Sequence, residues 1–150
     1  MKTLVISGGS SGIGKARASL FAERGWRVFE LSRHGGEEAK VERFEAKDAG
    51  EIIHVFCDVC SEESCHAAIE EVWRQTDHVD VVISNAGYGI SGSIEFTDIK
   101  DAEHQMDVNF MGAVRFTQAV LPQLRQQRRG RIIYTSSVAA ILAVPYQAFY

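Results

Sequence analysis

The feature that most constrains the fold is a glycine-rich turn between a short apolar run and a helical segment. Leu4-Val5-Ile6 leads into Gly8-Gly9-Ser10-Ser11-Gly12-Ile13-Gly14, and a helical pattern begins at Gly12. Glycine allows positive φ and close backbone approach, and a helix that starts here directs its free N–H groups at an anion. The order strand, glycine turn, helix predicts a phosphate-binding unit, although such a turn can also be only a tight connection.

Apolar runs alternate with helical patterns along the whole chain, which is typical of βαβ units. The predicted strands are residues 2–7, 26–32, 52–57, 80–84 and 131–135. The run at 80–84 is continuously apolar, as the centre of a parallel sheet requires. Residues 37–49 are expected to form a short exposed helix and a loop, and 100–124 one long helix. With right-handed crossovers, these elements predict an α/β fold with a doubly wound parallel sheet of five strands.

Two further helices show an apolar face. In the helix predicted for residues 12–24 the face comprises Ala16, Leu20 and Phe21, and Gly25 ends the helix. The other helix begins after Ser61, which is expected to cap it. Its inward-facing residues are expected to be Ala68, Ile69, Val72 and Trp73.

The length and composition suit one domain over residues 1–150, and they argue against several classes of binding partner. The chain is 45% apolar, enough for a core, and its net charge of -4 argues against nucleic-acid binding. No apolar run approaches the length of a membrane span, and the short apolar run after Met1 does not fit a signal peptide. An odd number of cysteines fits a reducing compartment. These observations predict a cytoplasmic protein without nucleic-acid or membrane partners.

The three cysteines lie close together in the sequence. Cys57 and Cys60 have the spacing of a metal or redox pair, and His66 follows Cys65. A zinc site of this kind usually needs a second such pair, which the sequence lacks. We therefore predict reduced thiols and no metal site.

The glycine turn also matches sequence motifs of two other enzyme classes. Residues 9–15 match the G-x-x-x-x-G-K pattern of nucleotide triphosphatases, but Ala16 stands where a Mg²⁺-binding hydroxyl is needed. A triphosphatase therefore remains a distant alternative. Ser10 also lies in a G-x-S-x-G pattern typical of hydrolase nucleophiles. Only nine residues precede it, so no earlier strand–helix loop can supply the oxyanion donors.

Five motifs occur in order, each at the end of a predicted strand or inside the long helix. They are Gly8-xxx-Gly12-Ile13-Gly14, Asp58-Val59, Asn85-Ala86-Gly87, Asn109, and Ser137 with Tyr150 thirteen residues later. In this order and spacing the chain resembles the short-chain dehydrogenase/reductase family over its whole length. Each motif alone has a structural alternative, such as a cap, a turn or a loop hydroxyl. The resemblance therefore rests on their joint occurrence.

The resemblance implies a Rossmann fold and an oxidoreductase that transfers a hydride between a nicotinamide cofactor and a small-molecule carbonyl or alcohol substrate. The catalytic residues it implies are Tyr150, Ser137 and Asn109. Tyr150 would donate or accept a proton at the substrate oxygen, Ser137 would hydrogen-bond the same oxygen, and Asn109 would hold a water in a proton relay. The cofactor-binding residues it implies are Gly8, Ser10, Ser11, Gly12, Ile13, Gly14, Ser32, Arg33, Asp58, Val59, Asn85, Ala86 and Gly87. It also implies a homodimer or homotetramer built partly through the long helix.

The end of the second strand decides which nicotinamide cofactor is preferred. An acidic residue there binds the ribose of NAD, whereas a nearby arginine accommodates the 2′-phosphate of NADP. Ser32 and Arg33 occupy this position, which predicts NADP(H) rather than NAD. Glu30 would favour NAD if the register were shifted, and Ser11 stands where many NADP enzymes of the family carry a second basic residue.

The resemblance also implies a lysine four residues after the tyrosine, which lies past Tyr150, the last residue of the sequence. We therefore expect residues 1–150 to be an NAD(P)-binding domain that is incomplete at its C-terminus. The alternative function is a catalytically silent NADP(H)-binding sensor or scaffold. The retention of Asn109, Ser137 and Tyr150 argues against it.

Overall fold

The computed structural model describes residues 1–35, 40–43 and 50–150. The strands are β1 (Thr3–Ser7), β2 (Arg27–Ser32), β3 (Lys40–Arg43), β4 (Glu51–Phe56), β5 (Val81–Ser84) and β6 (Arg131–Tyr134). The helices are α1 (Gly12–Glu23), α2 (Glu62–Gln75), α3 (Ile99–Met106) and α4 (Gly112–Gln127), with short 3₁₀ turns at Ile94–Phe96 and Val138–Ala140.

One sheet carries all of these strands in the order β3-β4-β2-β1-β5-β6. From β1 the chain winds outward through β2 to β4, and then returns to the other side of β1 to form β5 and β6. Val5 of β1 pairs in parallel with Phe29 on one side and with Val82 on the other. This order confirms the predicted doubly wound parallel sheet. The winding reverses between β1 and β5, and ligands bind outside the carboxyl ends of strands at such a point.

The third strand corrects the sequence prediction of a helix and loop at residues 37–49. Lys40–Arg43 is an exposed strand that pairs antiparallel with β4, with Lys40 opposite His54 and Arg43 opposite Glu51. Three of the four residues of this short edge strand are charged, which protects the sheet from pairing with other chains and leaves no clear apolar alternation. The pattern therefore gave no strand signal. Residues 37–39 and 44–49 lie outside the described part of the chain.

The buried face of α1 also differs from the prediction. Gly14, Ala18 and Ala22, spaced four residues apart, are buried against the sheet. Ala16 and Leu20 are exposed instead, Leu20 by 44%. Small residues let the helix axis lie close to the strands, so Ala16 and Leu20 are turned outward, whereas the predicted Phe21 is partly buried against the core.

The main core lies between the sheet and the pair α2 and α4. The predicted inner face of α2 is confirmed, with Ala68, Ile69 and Val72 buried and Trp73 packed against them. The predicted cap is confirmed as well, because Ser61 Oγ accepts a hydrogen bond of 3.1 Å from the Ser64 N–H. A smaller core fills the space between α1 and the opposite face of the sheet.

The predicted long helix at 100–124 is interrupted. A wide π-helical turn at Asp107–Met111 joins α3 to α4, and it places Asn109 where the helix widens. The chain leaves α4 through Arg128, whose φ of 54° is left-handed. Within the described ranges, no helix is both long and apolar enough to cross a bilayer.

Candidate functional site

A cavity of about 710 Å³ lies at the carboxyl ends of the parallel strands. Every residue that the sequence analysis selected as catalytic or cofactor-binding lines it: Gly8, Ser10, Ser11, Gly12, Ile13, Gly14, Ser32, Arg33, Asp58, Val59, Asn85, Ala86, Gly87, Asn109, Ser137 and Tyr150. No sequence motif indicated the other lining residues, which are Leu31, His34, Cys57, Tyr88, His104, Val108, Thr135, Ser136 and Ala140. The fold therefore brings five separate motifs to one place.

The glycine turn forms one wall of this cavity. Gly8 and Gly12 have φ of 67° and 52°, which glycine adopts without strain. A side-chain carbon on Gly14 would overlap the Gly8 carbonyl oxygen, so only glycine fits there. Within the described ranges, the Ser11 side chain makes no capping bond to α1. The first N–H groups of the helix therefore remain available to a ligand.

The end of β5 is tied closely to that turn. Ser7 Oγ accepts hydrogen bonds from the N–H groups of Asn85 and Ala86, at 3.1 and 3.2 Å. Asn85 Nδ2 donates to the Gly8 carbonyl at 3.1 Å. A Cβ on Gly8 would lie 2.7 Å from Ala86 Cα. The Asn-Ala-Gly segment therefore forms the floor beneath the glycine turn.

Arg17 belongs to the same network, although the sequence analysis did not select it. Its Nη1 donates to Asn85 Oδ1 at 3.0 Å and to Thr135 Oγ1 at 2.6 Å. Thr135 Oγ1 also lies 3.2 Å from Asn85 Oδ1. One guanidinium on α1 thus joins the ends of β5 and β6.

The end of β2 presents hydroxyl and basic groups. Ser32 and Arg33 line the cavity, and Arg33 is exposed. Beside them, Ser10 Oγ and His34 Nδ1 are 3.3 Å apart. Ser32 Oγ also donates to Glu30 Oε2 at 3.3 Å.

Glu30, the residue that would favour NAD in a shifted register, lies behind the glycine turn. It is 1% exposed, and its Oε2 is bonded to His54 Nδ1 at 2.9 Å. A Cβ on Gly9 would lie 2.6 Å from Glu30 Cγ. The carboxylate therefore does not line the large cavity, and β2 ends at Ser32.

The turn after β4 carries Asp58 and Val59. Asp58 Oδ1 accepts from the Cys60 N–H at 3.0 Å, so this carboxylate shapes the turn that carries the cavity wall. The three cysteines are free thiols. A hydrogen bond with Cys65, together with burial, raises the pKa of Cys57 well above its usual range.

Asn109 holds the loop that follows β5. Its Oδ1 accepts from the Tyr88 N–H at 2.9 Å, and its Nδ2 donates to the Tyr88 carbonyl at 2.7 Å. Both ends of the amide are thus bonded to the backbone of one residue. A water in the predicted proton relay would have to use the remaining amide hydrogen or oxygen lone pair.

Ser137 and Tyr150 stand on the remaining wall. Ser137 Oγ accepts from the Ala139 N–H at 3.1 Å and so caps the short 3₁₀ turn that follows. The Tyr150 ring packs over Gly89, because a Cβ added to Gly89 would lie only 3.5 Å from Tyr150 Cδ2. Gly92 N–H donates to the Tyr146 carbonyl at 2.8 Å, which joins this segment to the loop after β5.

Charged and thiol groups meet beside the cavity at the start of the π-helical turn. Arg115 Nη2 donates to Asp107 Oδ1 at 2.7 Å, and this bond lowers the pKa of the Asp107 carboxyl. Burial raises the pKa of the neighbouring Cys60 thiol to about 11, and contact with Asp107 adds to the rise. The Cys60 thiol is therefore protonated at neutral pH.

Curated proteins are similar to this chain in sequence. One relative is a 3-ketodihydrosphingosine reductase of Bacteroides thetaiotaomicron, which is 36% identical over 147 residues, 98% of this chain and 51% of the relative. Retinol dehydrogenase 8 of Bos taurus is 34% identical over 99% of this chain and 48% of its own length. The chain therefore spans about half the length of these curated relatives.

Solved structures agree with the fold. An alcohol dehydrogenase from Thermococcus sibiricus, complexed with 5-hydroxy-NADP, has a TM-score of 0.86 and 27% identity over 100% of this chain and 64% of its own. An NAD⁺-bound xylitol dehydrogenase has a TM-score of 0.85 and 26% identity over 99% of this chain and 58% of its own. The sequence profile described as short chain dehydrogenase matches residues 2–150. The chain belongs to the short-chain dehydrogenase family of oxidoreductases.

Proposed function

We propose that this chain is the cofactor-binding part of an oxidoreductase that transfers a hydride between NADP(H) and a carbonyl or alcohol carbon. One observation carries the proposal. The residues that the family resemblance selects, from Gly8 to Tyr150, line a single cavity at the topological switch point of the sheet. The proposed domain is residues 1–150.

The cavity fits a nicotinamide dinucleotide in size and chemistry. About 710 Å³ is within the usual range for cofactor sites. The glycine turn and the first N–H groups of α1 would hold the pyrophosphate, while Asp58 and Val59 would contact the adenine. The turn needs glycine at position 14, because a side-chain carbon there would overlap the Gly8 carbonyl oxygen and push the turn out of shape. When bound, the cofactor would donate or accept the hydride.

The preference for NADP(H) over NAD rests on residues at the end of β2. Ser32 and Arg33 line the cavity there, and the nearest carboxylate on the strand, Glu30, is buried behind the glycine turn. A guanidinium binds a phosphate through strong charge-assisted hydrogen bonds. The two solved relatives carry an NADP derivative and NAD⁺ respectively, so the cofactor named in a relative does not decide the preference of this chain.

Tyr150 would manage the proton that accompanies hydride transfer. In carbonyl reduction its hydroxyl donates a proton to the substrate oxygen, and in alcohol oxidation it accepts that proton. Ser137 would hydrogen-bond the same oxygen and fix its position. Asn109 would hold the loop at Tyr88 in place and take part in the proton relay through the remaining capacity of its amide.

The substrate side and the assembly are proposed from exposed apolar residues. Val138, Ile141 and Leu142 are exposed by 65%, 85% and 60% next to the cavity wall, which favours an apolar carbonyl or alcohol. We also propose a homodimer or homotetramer that uses α4, where Leu121 is 38% exposed.

The test compares turnover with cofactor binding in the complete protein. Tyr150→Phe should lower NADPH-linked carbonyl reduction by about 100-fold or more and leave NADPH affinity within about twofold. Tyr146→Phe, which removes an exposed hydroxyl nearby, is the matched control and should stay active. Full activity of Tyr150→Phe would show that the catalytic assignment is wrong. NADPH binding without turnover by the wild type, over a broad carbonyl panel, would favour the silent sensor instead.

A further inference from the structure

A cluster of three potential metal ligands lies at the edge of the cavity. Its members are Cys60, on the turn after β4, and His104 and Asp107, three residues apart in the helical stretch formed by α3 and the π-helical turn. Their ligand atoms all lie within 4.8 Å of one another. This cluster differs from the Cys57-x-x-Cys60 pair considered in the sequence, because Cys57 is buried beside Cys65 and does not belong to it.

We propose that Cys60, His104 and Asp107 form a binding site for one Zn²⁺ ion. One sulfur, one imidazole nitrogen and one carboxylate oxygen form a donor set that zinc accepts, whereas Mg²⁺ and Ca²⁺ prefer oxygen alone. A water would take the fourth tetrahedral position. Binding would release the Cys60 thiol proton to solvent, because the thiolate is the ligand. The proposal does not depend on nucleotide binding.

The geometry needs only a small adjustment. Zinc–ligand distances of about 2.0–2.3 Å place tetrahedral ligands roughly 3.3–3.8 Å apart. The observed separations reach up to 4.8 Å, so the ligands must close by about an ångström. His104 is exposed, and its ring centroid lies 6.0 Å from that of Tyr88. Its side chain can therefore rotate toward the other two ligands.

The surroundings hold one ligand in place. Arg115 donates to Asp107 Oδ1 at 2.7 Å and to the Val59 carbonyl at 3.3 Å. Carboxylates that bind zinc are usually oriented by such an outer hydrogen bond, and Asp107 keeps its second oxygen for the ion. The Arg115 charge opposes a dication, so we expect both the thiolate and the carboxylate to be required.

Zinc at this position would join two elements that border the cavity. Cys60 follows Val59 on the turn after β4, and His104 itself lines the cavity together with Val108. The ion would fix the spacing between that turn and α3. We therefore expect zinc to stabilise the folded chain as well as to bind it.

Cobalt is the spectroscopic probe, since Co²⁺ replaces zinc and gives a thiolate-to-metal absorption band in the near ultraviolet. Titration of the purified, reduced protein should produce this band with one equivalent of Co²⁺, and one equivalent of Zn²⁺ should abolish it. Cys60→Ser should remove the band. His104→Ala and Asp107→Asn should each weaken Co²⁺ affinity at least tenfold.

Control variants show whether the metal binds at these three residues or at a neighbouring thiol or histidine. Cys65→Ala removes a thiol from the neighbouring buried pair, and His66→Ala removes an exposed histidine beside Glu62, so both should keep the band and the affinity. Circular dichroism checks that each variant is folded, and His104→Ala, an exposed position, provides a test that does not disturb the core. Absence of the band in the wild type, or its persistence in Cys60→Ser, would overturn the proposal.

Discussion

The Arg17 guanidinium lies 3.0 Å from Asn85 Oδ1, and this bond ties α1 to the end of β5. Asn85 also links the end of β5 to the glycine turn, because its Nδ2 donates to the Gly8 carbonyl. Helix, strand end and turn are thus held together by one side-chain amide. A turn fixed from two sides is preorganised for a phosphate and loses little entropy when a ligand binds.

Removal of Arg17 should loosen this connection. Arg17→Gln should lower the free energy of unfolding by about 1–3 kcal/mol, because two charge-assisted bonds are lost and one of the acceptors, Asn85, is partly buried. NADPH affinity should fall as well. Urea unfolding measures the first effect and nucleotide titration the second. Arg24→Gln, at the exposed end of the same helix, is the control, and equal stability of the two variants would contradict the role of Arg17.

Gly14 should not tolerate even one methyl group. In Gly14→Ala the new carbon would overlap the Gly8 carbonyl oxygen, a backbone atom that cannot move without distorting the turn. We expect a loss of about 1–3 kcal/mol in unfolding free energy and a large loss of nucleotide affinity. Gly89→Ala is the matched control, because its methyl would meet the Tyr150 ring at an ordinary distance of 3.5 Å. Normal nucleotide binding by Gly14→Ala would show that the turn does not hold the pyrophosphate.

Asn109 should act through Tyr88. Asn109→Ala leaves the Tyr88 N–H without its partner and removes one of two donors to the Tyr88 carbonyl, which Gln105 Nε2 still contacts at 3.1 Å. The loss should cost about 1–2 kcal/mol of stability and increase hydrogen exchange at the Tyr88 amide. Asn109→Asp keeps an acceptor for that N–H and should preserve its protection better. Gln118→Ala, on the exposed face of α4, should change neither quantity. Unchanged exchange in Asn109→Ala would contradict this positioning role.

The sequence alone predicts the parts of the fold that carry a recognisable residue pattern. Continuous apolar runs marked the buried parallel strands, and the glycine turn and the Asn-Ala-Gly segment fell at strand ends. Because parallel strands present their carboxyl ends at one edge, motifs far apart in the sequence had to meet there. The meeting of Ser10 and Asn85 in one cavity follows from this rule.

Other features depend on three-dimensional register and left no pattern. The charged edge strand β3 lacks apolar alternation, so it was expected to be helix and loop. Arg17 resembles any helical surface residue until the rotation of α1 brings it to Asn85. Cys60 meets His104 and Asp107 only because the turn after β4 lies against α3. In each case the deciding contact joins residues that are distant in the sequence.

The most direct test of the central claim is the affinity of the purified chain for NADPH and NADH, measured by titration with the wild type and Arg33→Ala. We predict that the wild type binds NADPH more tightly than NADH. Arg33→Ala should weaken NADPH by about 10–100-fold, the value of one or two charge-assisted bonds, and leave NADH within about twofold. Tighter binding of NADH, or no binding of either nucleotide, would contradict the account.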